Sequence, residues 1–199
     1  MYVKKISIKN IKSLKELKIE FKEPYAGWHV LLGDNGSGKS TVLKAVSLCL
    51  VGERQGYSLK QNFKNWITKG ETESNCKLDI ILNDGYDSLA KEYNNNVACN
   101  LKIDEEGELI LHFKANKKRV RSAPSVTEGW YSSAFGPYRR LGEKMTQQVS
   151  NYTEGNLENH ITLFDPSYNL TGAIQWLMDL KFEELSTCLL YTSPSPRDS

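Results

Sequence analysis

The chain has 199 residues, 39% of them apolar, enough for one sizeable core, and no run approaches the ~18 consecutive apolar residues of a membrane-spanning helix. A net charge of +2 is too small to point to nucleic acid through bulk electrostatics. Cys49, Cys76, Cys99 and Cys188 share no metal-type spacing and the opening residues carry no apolar signal core, so neither zinc, a disulfide framework nor secretion is expected; the expected location is the cytoplasm.

The first 21 residues read as two antiparallel strands, because Ile6 and Ile8, then Leu17, Ile19 and Phe21, alternate with polar residues. The short apolar run His29, Val30, Leu31, Leu32 reads as a buried parallel strand. Directly after it come Gly33, Asp34, Asn35, Gly36, Ser37, Gly38, Lys39 and Ser40, a complete G-x-x-x-x-G-K-S phosphate-binding loop, followed by Thr41. Residues 41–50 read as a helix with Leu43, Val46 and Leu50 on one face.

Strand, glycine-rich loop and helix in that order concentrate three effects at one point. The glycines let the backbone curl so that successive N–H groups point inward, and the helix adds roughly half a positive charge at its N-terminus. Polyphosphate is the guest that suits such a cradle, which makes ATP the expected ligand. Lys39 is placed to reach the β- and γ-phosphates as a point charge, and the Ser40 hydroxyl to join Mg²⁺, an ion that keeps several waters and needs few protein ligands.

Further along, residues 61–70 form a mixed connector holding Phe63, Trp66 and Ile67, and residues 77–82 read as a strand closed by Asn83, Asp84 and Gly85. Val97, Cys99, Leu101 and Ile103 alternate, Glu105, Glu106 and Gly107 turn, and Leu109, Leu111 and Phe113 alternate back, predicting a β-hairpin. Lys114, Lys117, Lys118, Arg119 and Arg121 form a basic run. A contact to a DNA backbone is one reading of it; the lack of interleaved aromatics favours a solvated sheet edge. The apolar stretches ending at Asp84 and Asp165 imitate metal-site strands, but turn chemistry follows the first and Pro166 the second, so both read as ordinary structure. Leu170, Ala173, Ile174, Leu177 and Leu180 share a helical face after Asn169 as cap. His29, His112 and His160 are scattered and indicate neither a triad nor a metal site. Residues 188–199 resemble a translated transposase-type sequencing adaptor and are expected to be a non-native tail.

Antiparallel strands before the phosphate loop and β-rich chain after its helix resemble the ABC-type ATPase heads of the SMC, RecF and SbcC families. Ile8, Lys9, Asn10, Ile11, Lys12, Ser13 and Leu14 are similar to their N-F-[KR]-S element, and the loop to their G-x-N-G-x-G-K-S-T form. The segments from Ser133 to Arg140, from Ile161 to Asp165 and from Leu170 to Leu185 resemble bacterial members found among defence-type genes. The resemblance covers about residues 1–187 and implies an α/β fold, a P-loop NTPase of ABC-ATPase-head type, with an N-terminal antiparallel β layer and an incomplete parallel core sheet with helices. It also implies that Lys12 lies near the nucleotide and that Thr41 contacts the α-phosphate. Arg139 and Arg140 fall where such heads bring a polar residue toward the metal and attacking water, so they are candidate phosphate sensors; a surface turn at Gly136 and Pro137 with solvated arginines is the alternative.

The signature segment, the Asp-Glu strand and the His switch of such heads are not found in the sequence, so the chain is expected to be an N-terminal part of a head, able to bind ATP without efficient turnover. The intact protein is expected to pair head to head, to hydrolyse ATP and to act in DNA repair or in defence, with DNA and a nuclease as candidate partners and no membrane. A self-contained P-loop nucleotide or small-molecule kinase, and a nucleotide-gated module recruiting an effector nuclease, remain alternatives.

Overall fold

The computed structural model describes residues 1–59, 61–87, 95–115, 130–137, 157–166, 177–178 and 181–182, and the backbone alone at 118–120 and 158. Strands β1 (Tyr2–Ile11) and β2 (Leu14–Glu20) form the expected hairpin, with Ile6 opposite Ile19 and Ile8 opposite Leu17. After helix α1 (Lys39–Val51), helix α2 (Glu53–Ser58) and a 3₁₀ turn (Phe63–Trp66), the chain returns as β3 (Ser74–Ile81) beside β1. Strands β4 (Asn96–Ile103), β5 (Leu109–Ala115) and β6 (Lys118–Val120) then add one after another. The result is a six-stranded sheet in the order β2-β1-β3-β4-β5-β6, antiparallel at every junction.

Alternation builds the core. Ile6, Ile8, Cys76, Leu78, Ile80, Val97, Cys99, Leu101, Ile103, Leu109 and Phe113 are all buried, and α1 packs against β3 and β4 through a buried set including Val42, Ala45, Leu48 and Cys49. Of the expected face of α1, Leu50 is buried and Val46 is half-buried against the core, and Leu43 alone departs from it. Leu43 is 48% exposed while Val42 is buried; both are apolar, and packing against the sheet rather than hydropathy selects between them. Cys49, Cys76 and Cys99 are free and buried as packing residues, and burial raises the thiol pKa of Cys49 and of Cys99.

The run His29 to Leu32 does not form the expected strand. It carries no ladder, and Trp28, Val30 and Leu32 are 100%, 76% and 90% exposed. A buried parallel strand needs neighbours on both sides, and no described residue pairs with this segment. The incomplete parallel sheet accordingly has no described strand pair, whereas the antiparallel layer is fully formed. Most of the helix expected after Asn169 lies outside the described residues; residues 177–178 and 181–182 are helical, with Leu177 exposed.

Helix α3 (Glu158–Phe164) covers the segment 130–137. Ile161 to Phe164 are therefore helical rather than a metal-site strand. The amide of Ala134 donates to the carbonyl of Asn159, and the amide of Gly136 donates to the Thr162 hydroxyl. His160, 1% exposed, joins three elements: Nδ1 lies 2.5 Å from the Ser47 hydroxyl of α1, and Nε2 lies 3.0 Å from the Ser132 hydroxyl. Burial pushes the imidazole below its ordinary pKa, partly opposed by a hydrogen bond with the Ser132 backbone.

A histidine held neutral when folded but protonated when unfolded stabilises the fold above the ordinary value of 6.5, and that stability is lost as pH falls through the lowered folded pKa. The urea midpoint is therefore expected to fall between about pH 6.5 and 5 more steeply in the native chain than in His160→Asn. Parallel midpoint curves for the two would show that the ring does not carry this dependence.

Candidate functional site

The loop from Gly33 to Ser40 opens onto the N-terminus of α1. Gly36 and Gly38 take left-handed backbone conformations, φ 84° and 95°, and Gly38 is the N-cap residue. No side chain caps this helix and its first turn holds no acidic residue. The amide of Val42 makes the first helical bond, to the Gly38 carbonyl at 2.9 Å, so the amides of Lys39, Ser40 and Thr41 have no intrahelical acceptor. Positive potential is therefore left without a competing carboxylate from the helix itself.

Lys39 folds back across the loop. Its ammonium donates to the carbonyls of Gly33 and Asp34, each at 2.7 Å, and lies 3.5 Å from the Ser37 hydroxyl. A turn bond from the Ser37 amide to the Asp34 carbonyl, 3.2 Å, holds the same curve. The cation thus braces the rim of a cradle whose floor is the helix terminus, an arrangement that suits an anion carrying several oxygens. Asp34, Asn35, Ser37 and Ser40 are exposed, while Lys39 and Thr41 are half-buried.

The two-residue turn Lys12–Ser13 joins β1 to β2, and the neighbouring Leu14 lies against Gly38, so the turn is beside the start of α1. The Lys12 ammonium nevertheless sits 4.6 Å from the centre of the Trp66 ring. Burial lowers its pKa. Arg139 and Arg140 lie outside the described residues. Among the described residues no group of three or more His, Cys, Asp or Glu could hold a metal. Sequence reasoning missed Lys44, Trp66 and His160 as linked residues: each makes its contacts with distant parts of the chain, and no local pattern signals them.

The family model described as an AAA domain matches residues 5–175. The chain belongs to the AAA domain family. It is 39% identical over 191 residues to the Septu protein PtuA of Bacillus mycoides, covering 93% of this chain and 23% of that protein. It is 28% identical over 141 residues to the DNA replication and repair protein RecF of Clostridium beijerinckii, covering 63% of this chain and 36% of the relative. A solved structure of the recombination mediator protein RecF-ATPrS in the RecFOR pathway superposes with a TM-score of 0.49 and 22% identity, over 68% of this chain and 32% of that one. The AAA domain chain therefore corresponds to the N-terminal part of an ATPase head of the SMC/RecF/SbcC type, and it spans only about a quarter to a third of the length of these curated relatives.

A Cβ added at Gly38 would lie 2.7 Å from Leu14 Cδ2, whereas one added at Gly36 meets nothing within 4 Å. Both glycines need a left-handed φ, so Gly36→Ala is expected to cost about 1–2 kcal/mol and Gly38→Ala more, because Leu14 must also move. Urea unfolding of the two variants and of Gly38→Ala/Leu14→Ala checks this; the double variant recovers part of the extra loss.

Proposed function

We propose that this chain binds ATP through residues 33–41 and that it forms part of a head-pairing ATPase acting in DNA repair or in defence against foreign DNA. The observation that carries the reading is the uncapped, acid-free N-terminus of α1, entered through left-handed Gly36 and Gly38 and braced by Lys39. Membership of the AAA domain family and likeness to RecF and PtuA support the DNA-linked role.

Each group then has a defined task. The amides at the helix terminus receive phosphate oxygens, and the Lys39 ammonium exchanges its two loop carbonyls for β- and γ-phosphate oxygens, trading neutral acceptors for charged ones. Thr41 flanks the α-phosphate. Mg²⁺ fits a loop that offers one hydroxyl, Ser40, because that ion is satisfied largely by waters and phosphate oxygens. When bound it neutralises charge on the β- and γ-oxygens. Arg139 and Arg140 are proposed as sensors of the terminal phosphate, and a second head as the donor of the groups that complete the site.

Lys39→Ala is expected to weaken ATP binding about ten- to a hundredfold, the worth of a charge-assisted hydrogen bond, and Ser40→Ala mainly to reduce the Mg²⁺ dependence of binding. Calorimetric titration checks both; equal ATP affinity in native chain and Lys39→Ala would sink the loop reading.

Catalysis is a separate matter. Asp84 sits in the turn after β3, and Asp165 follows α3 directly; neither stands on a strand beside the phosphate loop. Positioning of water and stabilisation of transition-state charge account for most phosphoryl-transfer catalysis, so ATP binding without efficient turnover is expected of the 199-residue chain. Steady-state phosphate release measured beside Lys39→Ala tests this: robust turnover that depends on Lys39 would show that the chain carries its own catalytic acid.

A further inference from the structure

The two ends of the sheet are built differently. At the β5 end, Tyr57 and Glu53 of α2 take the amides of Leu109 and Leu111, and the run Lys114, Lys117, Lys118, Arg119 and Arg121 carries one sign of charge. Self-pairing there sets cation against cation. Strand β2 closes the other end of the sheet, and among the described residues β1 alone pairs with it.

The phase of the free ladder on β2 follows from one bond. The amide of Phe21 donates to the Lys4 carbonyl at 2.9 Å, in register with Ile19 opposite Ile6 and Leu17 opposite Ile8. Inward bonding alternates along an antiparallel ladder, so the amides and carbonyls of Glu16, Lys18 and Glu20 point away from β1. The same three residues are exposed, and their charges alternate in sign along the strand. Leu17 and Ile19 lie between them on the other face, half-buried against the core. The strand runs for seven residues without the proline or glycine that commonly interrupts an edge.

Alternating charge selects among the registers in which this edge can meet a copy of itself. An antiparallel copy turned about Lys18 opposes Lys18 with Lys18 and Glu16 with Glu20, like charges throughout. A copy turned about Leu17 overlaps the whole strand, sets each Glu16 opposite a Lys18, and brings the two Leu17 side chains together in a closely spaced pair. Charges that ordinarily guard an edge attract in this register. Lys18 and Glu16 already pair within the strand, with side chains 66% and 63% exposed, so both are open to a facing strand.

We propose that β2 is a dimerisation edge that pairs antiparallel with β2 of a second copy of this chain, the two-fold axis passing at Leu17. Glu16 and Lys18 of facing strands exchange backbone hydrogen bonds as well as opposing charges, and the axis repeats each contact. The interface is isologous and uses up the β2 edge of both copies, so association closes at the dimer. It involves no nucleotide and no residue of the loop at 33–41, which separates it from the head pairing proposed above.

The test is sedimentation of the 199-residue chain without nucleotide over a concentration series, beside Glu16→Lys, Lys18→Glu, the double variant and an equimolar mixture of the two single variants. The native chain is expected in monomer–dimer equilibrium. Each single reversal turns attractive cross-strand pairs into repulsive ones and weakens dimerisation about tenfold or more. The double variant and the mixture both restore it, a rescue that a merely misfolded variant does not show. Lys18→Pro, which removes an outward amide that β1 does not use, is expected to be monomeric with a native far-UV spectrum. A native chain that stays monomeric up to about 1 mM, a dimer indifferent to the reversals or to Lys18→Pro, or reversals that neither the double variant nor the mixture rescues would overturn the proposal. Failure of Lys39→Ala to change ATP affinity counts against the loop alone and leaves the sedimentation result intact.

Discussion

The phosphate loop is almost wholly exposed and makes few contacts of its own, so its position depends on the helix it runs into. Helix α1 is held by burial of Val42, Ala45, Leu48, Cys49 and Val51 against the apolar face of the sheet, and its Ser47 is tied through His160 to the segment 130–137. Burying side chains of this size is worth about 1.5–3 kcal/mol each for the larger aliphatics, far more than the turn bonds within the loop supply. An exposed loop is thus mounted on a buried helix. That division suits binding of an anion, because the amides of the helix terminus are fixed in direction while the rim and Lys39 can adjust.

Those elements whose pattern was dictated by one buried face were legible in the sequence. The β1–β2 hairpin, β3 and the β4–β5 hairpin all follow period-two alternation, and the turn after β3 is closed as its residues suggest, with the Gly85 amide on the Asn83 side chain. The loop was legible because glycine spacing and Lys-Ser carry a backbone requirement that few other structures share. Legibility failed where composition did not determine environment. Val42 and Leu43 are equally apolar neighbours, and only the sheet decides which is covered. His29 to Leu32 has the composition of a buried strand, yet strand formation is a property of pairs and not of single segments. His160 with Ser47, and Lys44 with Phe164, meet across more than a hundred residues, a distance over which a single sequence carries no phase information.

The far side of the sheet shows how the molecule manages an exposed ladder. Among the described residues strand β6 pairs with β5 from Phe113 to Ala115, and the amides of Leu109 and Leu111 go to side chains instead. Tyr57 accepts from Leu109 and donates back to its carbonyl, while Glu53 accepts from Leu111. Helix α2 therefore serves as a polar cover for an edge that would otherwise template association with another chain.

The order of the sheet has a kinetic meaning as well. Every junction but one joins strands that are consecutive in the chain; the exception is β1 with β3, which encloses β2, the glycine-rich loop, α1 and α2 in a single long excursion. Closing that excursion carries the largest loop-entropy cost among the described strand pairings, and its reward arrives only when α1 seats on β3 and β4. Trp28, Val30 and Leu32 lie on this excursion and stay exposed once it has closed.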